Sequence, residues 1–386
     1  MSVFAAVVAW TLVTGPSAGG AGGEVCVLPR GTAHHSEGVS SRDPSYPRAH
    51  GDVDAVMIFL SFPDARPSLT PDQLAEDHFP ATAQYFERAS YGAFRLRPHV
   101  VPVWLRMPLP STAYAIARDW GSPVRSRFLT DAVAAADRRV DFRRYKVVYL
   151  VADPDAPGVD PDATKVVSLG SPLHADGVEL RRFVTVFESH PPDVNVLAHE
   201  TGHAFDLPDL YYRPPAGSRA DWDTHVGDWD IMGSQFGLAP DLFAWHKWKL
   251  GWLRSSQVHC VVDSGTHTYR VTPVERAGGT KLLVVPAGLK SVVAVEVRAA
   301  TGNDRLTCTE GVLLYRVRAD VASGDGPVDV IDGHPRTSRC SPVSVYPPLA
   351  DAPLRAGEGY QVGSDSRIDV IARHQDGSWT VRVTQG

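Results

Sequence analysis

The 386-residue chain has little cysteine, little methionine and no excess of basic charge, and each shortage narrows what it can be. Four cysteines, Cys26, Cys260, Cys308 and Cys340, are too few for a disulfide-built miniprotein, and none lies at a Cys-x-x-Cys metal spacing. A net charge of -6 over this length offers no basic face for nucleic acid and no polybasic patch for a membrane surface. No stretch beyond the N-terminus approaches the roughly 20 apolar residues of a transmembrane helix. Internal repeats and low-complexity arrays are absent too. With 43% hydrophobic and 21% charged residues, what remains is an ordinary folded chain long enough for two domains.

Against that background the run Ala198-His199-Glu200-Thr201-Gly202-His203 stands out. Histidines four apart share one helical face, so both imidazoles can reach one metal, while Glu200 sits where it can meet a metal-bound water. Buried, hydrogen-bonded histidines would show the same spacing, but a carboxylate between apolar turns is costly without a cation beside it. Upstream, Pro191-Pro192-Asp193 reads as a helix start with Asp193 as N-cap. Downstream, Pro208 should end the helix and turn the chain back, which places Asp209 as third ligand. Three protein ligands and one water make the open zinc arrangement that catalysis requires.

Gly227-Asp228-Trp229-Asp230-Ile231-Met232-Gly233-Ser234 is a tight polar turn around one of only four methionines, and Pro240 to Trp252 follows it. Earlier, Tyr85-Phe86-Glu87-Arg88-Ala89-Ser90-Tyr91-Gly92-Ala93-Phe94 fits a Tyr-Phe-x-x-x-Ser-Tyr-Gly-x-Phe pattern. Together with Val295 to Arg298 and Gly311 to Val317, these segments resemble the M6 family of secreted metallopeptidases, the immune inhibitor A type, grouped with the metzincins. The resemblance runs from about Val53 to the C-terminus. It implies the motif His-Glu-x-x-His-x-x-Gly-x-x-Asp, a Met-turn at Met232, and zinc held by His199, His203 and Asp209. The family glycine is Asp206 here, a residue that tolerates the left-handed turn, so the third ligand stays open between Asp206 and Asp209, with Asp209 at the family position.

The implied fold class is α+β: a metzincin-like zinc peptidase domain with a mixed sheet and an active-site helix, followed by an antiparallel β-sandwich. The expected divisions are a signal peptide at 1–23, a leader or short propeptide at 24–50, the catalytic domain at 51–254 and the β-sandwich at 255–386. The leader reads as an extended segment wrapped on the surface. Val53 to Phe62 and Lys146 to Ala152 have the continuous apolar character of buried strands, Phe94 to Met107 reads as a strand or hairpin, and Leu69 to Ala89 and Val124 to Asp137 read as helical. Arg182 to Phe187 is the strand expected to pair with extended substrate. Disulfides are the expected use of the cysteines in an exported protein, with Cys26 to Cys260 and Cys308 to Cys340 the preferred pairing of three; Cys26 as a zinc-capping thiolate is the alternative.

The acidic loop Asp153 to Asp162 misses the calcium-loop pattern, with Pro157 fifth and Thr164 twelfth, so although the family allows structural calcium no residue is assigned to it. Trp245, Trp248 and Trp252 form a packed face, Tyr211 and Tyr212 stay outside the catalytic set, and His174, His190, His225 and His246 have no ligand spacing. The expected function is a secreted, extracellular zinc endopeptidase in which Glu200 activates a zinc-bound water and protonates the leaving amine. Its partners are protein or peptide substrates, without nucleic acid and without membrane insertion after signal removal; the oligomeric state stays open. The alternatives are a non-catalytic peptide or surface-polymer binding module and a zinc amidase acting on cell-wall peptides.

Overall fold

The structure, a computed structural model, describes residues 26–386 except residue 216. The expected signal peptide at 1–23 lies outside the described residues. The apolar run after Gly51 becomes strand β1 (Gly51–Ser61), and its alternate residues feed two cores. Ala55, Met57 and Phe59 face one, and Val56, Ile58 and Leu60 the other. Burial on both faces explains why the run does not alternate with polar residues.

Helices α1 (Pro71–His78) and α2 (Ala81–Ala89) follow, then strand β2 (Phe94–Arg106), the single turn α3 (Ser111–Tyr114), α4 (Ser122–Ala136) and strand β3 (Val147–Ala152). The helical stretch expected from Leu69 to Ala89 is two helices, because Pro80 cannot donate the bond that would continue the first. Phe94 to Arg106 is one strand, parallel to β1, with no hairpin. Strands β4 (Lys165–Ala175) and β5 (Val178–Val186) complete a sheet of order β2-β1-β3-β5-β4, parallel except for β4. The expectation for substrate pairing is corrected here, since β5 lies inside the sheet and the edge beside it belongs to β4.

On one face lie α1, α2 and the helix α5 (Val196–Ala204); on the other Phe128, Leu129, Ala132, Val133 and Ala136 of α4 fill the second core. Each large apolar side chain fully buried there contributes roughly 1.5–3 kcal/mol. Helix α6 (Ala244–Lys249) presents Trp245 and Trp248, rings edge to face, while Trp252 lies beyond the helix end and stacks on Phe94.

The C-terminal part contains β6 (Val258–Cys260), β7 (Gly265–Val271), β8 (Leu282–Gly288), β9 (Ser291–Arg298), β10 (Gly311–Arg318), β11 (Val328–Val330), β12 (Gly359–Val362), β13 (Ser366–Arg373) and β14 (Trp379–Gln385). A five-stranded sheet, β11-β10-β9-β8-β6, faces a four-stranded antiparallel sheet, β12-β13-β14-β7. The five-stranded sheet is mixed where an antiparallel one was expected, because β6 runs parallel to β8. Leu283, Val293 and Leu314 pack against Ile368, Trp379 and Val381 between the sheets. Leu282, Ala294 and Tyr315 point the other way and share a core with α5 and Met232, so no gap in packing falls at residue 254.

Both preferred disulfides are present, Cys26–Cys260 and Cys308–Cys340, and the first consumes the thiol that would otherwise be free to cap a metal. The segment after Cys26 is not a surface wrapping. Cys26, Leu28 and Val39 belong to the main core, and Glu37 is fully buried against His246, its Oε1 2.7 Å from Nε2.

Candidate metal centre

Helix α5 is buried along its whole length. It does not start on an Asp193 cap: the cap position is Asn195, at φ 61° and without a side-chain cap bond, while the Asp193 amide donates to Glu188. A turn through Val194 and Asn195, in which the Val196 amide donates to the Asp193 carbonyl, replaces the expected capping geometry. Within the helix Gly202 is forced by packing, since a Cβ there would lie 2.5 Å from Sδ of Met232. Met232, wholly buried, thus runs directly beneath the motif, and its carbonyl accepts from the Leu210 amide at 2.9 Å.

His199 and His203 both have Nδ1 engaged by backbone carbonyls, Ile231 O and Leu207 O, each at 2.8 Å. With Nδ1 held by those carbonyls, each ring turns Nε2 inward, and the two Nε2 atoms stand 3.2 Å apart. After Ala204 the chain reverses through Asp206 at φ 73°, the left-handed residue the sequence anticipated. The Asp206 carboxylate points away from the Nε2 atoms, accepting from Arg30 Nη1 at 2.6 Å and lying 3.1 Å from His35 Nδ1. Burial pushes His35 down to about 4, so its ring is neutral and donates. Burial opposes charge on Asp206 as well, yet the His35 hydrogen bond, Lys249 and Arg30 together hold its carboxyl below the ordinary range.

Asp209 takes the other direction. Its Oδ1 lies 2.9 Å from His203 Nε2 and 3.6 Å from His199 Nε2, and His199, His203 and Asp209 are the one group of three such residues, among the described residues, close enough to share an ion. Oδ2 is held by Arg213 Nη2 at 2.7 Å and by Ser323 Oγ at 3.0 Å. Oδ1 is buried without a well-aligned donor, facing both Nε2 atoms. Two imidazole nitrogens and a carboxylate oxygen enclosed together can hold a cation, and a tetrahedral zinc with ligand bonds of about 2.0–2.1 Å would set donors roughly 3.3 Å apart. The observed separations bracket that spacing.

Glu200 is buried, and desolvation raises its carboxyl above the ordinary value although His199 and His203 pull the other way. It lines two open lobes of one cleft, with volumes of about 540 and 590 Å³, that also share Arg118, Tyr211 and Trp222. Lys165 to Ser168, on the free edge of β4, wall the first lobe.

Several site neighbours carry no sequence signal. Ser323 arrives from the β10–β11 connection, and Arg30, His34 and His35 from the N-terminal segment. Tyr211, left out of the catalytic set, stacks over His199 and faces both lobes. Tyr212 packs edge-on against His225 instead. The remaining histidines pair elsewhere: His246 with Glu37 and Asp230, His225 with Asp329, His190 with Asp77, and His174 lies near Glu179.

No protein-family description matches this sequence, and no curated protein matches it. Among solved structures, two crystal forms of wild-type OgpA from Akkermansia muciniphila are similar to it at 9% and 8% identity and TM-scores of 0.30 and 0.32. The first alignment covers 73% of this chain and 92% of that one, the second 89% and 95%. At those TM-scores the likeness carries no argument, and the reading of the site rests on its own geometry. Among the described residues no helix is long and apolar enough to cross a membrane.

Proposed function

We propose that this chain is a zinc-dependent endopeptidase of the M6 type that works outside the cell. The observation that carries the reading is the position of Glu200, buried beside the His199, His203 and Asp209 donors and open to both lobes of the cleft. Zinc held by those three residues would polarise a scissile carbonyl and acidify a water.

The chain's own residues account for the rest. Glu200, its carboxyl raised by burial, takes a proton from the attacking water and returns it to the leaving amine. The Ile231 and Leu207 carbonyls fix the ligand tautomers, while Arg213 and Ser323 leave only Oδ1 of Asp209 free to ligate. Burial keeps the Tyr211 phenol protonated, so it can donate to the oxyanion that develops on the substrate. The unpaired edge of β4 can receive a peptide backbone as an added strand. Two disulfides favour an oxidising compartment, which supports secretion.

The test measures zinc stoichiometry and casein cleavage on the purified chain and on Glu200→Ala. One zinc in both proteins is expected, with cleavage reduced about 10²–10⁴-fold or more in the variant. Zinc without cleavage of casein, but with release of peptides from peptidoglycan, would move the reading to a cell-wall amidase.

A further inference from the structure

The two lobes differ in charge. Arg118, Arg125, Lys165 and Arg213 line the first, against Asp119 and Asp162 outside the metal centre. Arg213 is already engaged by Asp209 and Tyr211. Arg118 and Arg125 make no ion pair among the described residues: the Arg118 guanidinium lies 4.7 Å over the Trp222 ring, and Arg125 donates to the Trp120 carbonyl at 3.1 Å. Lys165 adds a third cation, its ammonium donating to the Arg118 carbonyl. Burial and the nearby Arg125 charge lower its pKa, outweighing the opposing pull of Glu200 and Asp119. The second lobe instead carries Glu188, Asp193, Asp162 and Asp223, with Arg118 its single Lys or Arg.

Direction along the cleft follows from β4. The strand enters at Lys165, just past Thr164 where the lobes meet, and runs to Ser168 along the first lobe. An added strand pairs somewhat better antiparallel than parallel, so the N-terminal part of a bound peptide lies against Ser168 and its C-terminal part crosses Thr164 into the second lobe.

Resting on the peptidase reading above, we propose that Arg118 and Arg125 select peptides with acidic residues on the N-terminal side of the scissile bond. Both act as specificity residues and leave the bond-breaking steps to Glu200. The arginines supply the counter-charge: an aspartate or glutamate side chain pairs with guanidinium groups that make no ion pair among the described residues.

Two measurements test this. A random peptide library digested by the zinc-loaded full chain should show Asp and Glu enriched within about three residues N-terminal to the cut. Enrichment of acids on the C-terminal side, or of Lys and Arg on the N-terminal side, overturns the proposal. The second measurement is fluorescence anisotropy of Glu200→Ala with a labelled peptide containing two glutamates and with its glutamine counterpart. The glutamate peptide should bind roughly tenfold more tightly, as two partly screened charge pairs would give, and less so as salt is raised. In the Arg118→Gln, Arg125→Gln double replacement made on that background, with zinc content checked, the ratio should fall to about twofold or less. Equal binding of both peptides before the replacement, or an unchanged ratio after it, overturns the proposal. If the wild type cleaves nothing in the library, the peptidase reading fails, while the anisotropy ratio still decides the charge preference.

Discussion

At the scale of single residues, two carboxylates three positions apart have opposite duties. Asp209 aims Oδ1 at the paired Nε2 atoms, whereas Asp206, swung outward by its left-handed φ of 73°, pairs with Arg30 and accepts a hydrogen bond from the neutral His35. Replacing Asp209 by Asn should therefore strip zinc from the protein on dialysis. Asp206→Asn should keep one zinc per chain but lower stability by about 1–3 kcal/mol, because the buried charge that pairs with Arg30 is removed and one acceptor oxygen becomes an amide donor. Zinc loss from the Asp206 variant with retention by the Asp209 variant would reverse the assignment. Gly202 offers an independent check. A Cβ there meets Met232 Sδ at 2.5 Å, so the thioether must shift within a buried core, and Gly202→Ala should destabilise by about 1–3 kcal/mol in chemical denaturation.

At the scale of elements, α6 is tied to the N-terminal segment and to the turn before Met232 through one buried imidazole. His246 sits between Glu37 Oε1 at 2.7 Å and Asp230 Oδ2 at 2.9 Å, and Lys249 approaches Glu37 at 3.6 Å. Burial opposes its charge, but the two carboxylates raise it to about 9. A histidine with a folded value above its unfolded 6.5 adds stability that is complete below 6.5 and lost as pH climbs through 9. Unfolding free energy should accordingly fall by a few kcal/mol, of order 3, between neutral pH and pH 10. His246→Gln should be less stable at pH 7 and lack that decline; an identical slope in the two proteins would count against the assignment. The same connection explains why the sequence misjudged residues 26–50. Polar composition suggests exposure, yet Glu37 and His35 are buried because each finds a charged or hydrogen-bonding partner far along the chain.

At the scale of the whole molecule, one core joins Leu28, Met57, Leu197, Met232, Trp245, Ala294 and Tyr315. The stretch 51–254 produced alone would lose Glu37, Ser323 and the inner face of β8 to β10. It should bind the dye ANS, lack near-UV circular dichroism and hold no zinc; a zinc-loaded, cooperatively unfolding fragment would show that the halves fold independently. The sequence by itself determined what depends on near neighbours. Histidines four apart share a helical face wherever the helix lies, Asp206 accepts a left-handed turn, and unbroken apolar runs make strands buried on both sides. Tertiary structure alone decided which carboxylate faces the nitrogens, which strand is the edge beside β5, that Ser323 braces Asp209 from 114 residues away, and that one lobe of the cleft is basic. Those outcomes depend on contacts between distant segments, and helical or strand periodicity carries no information about them.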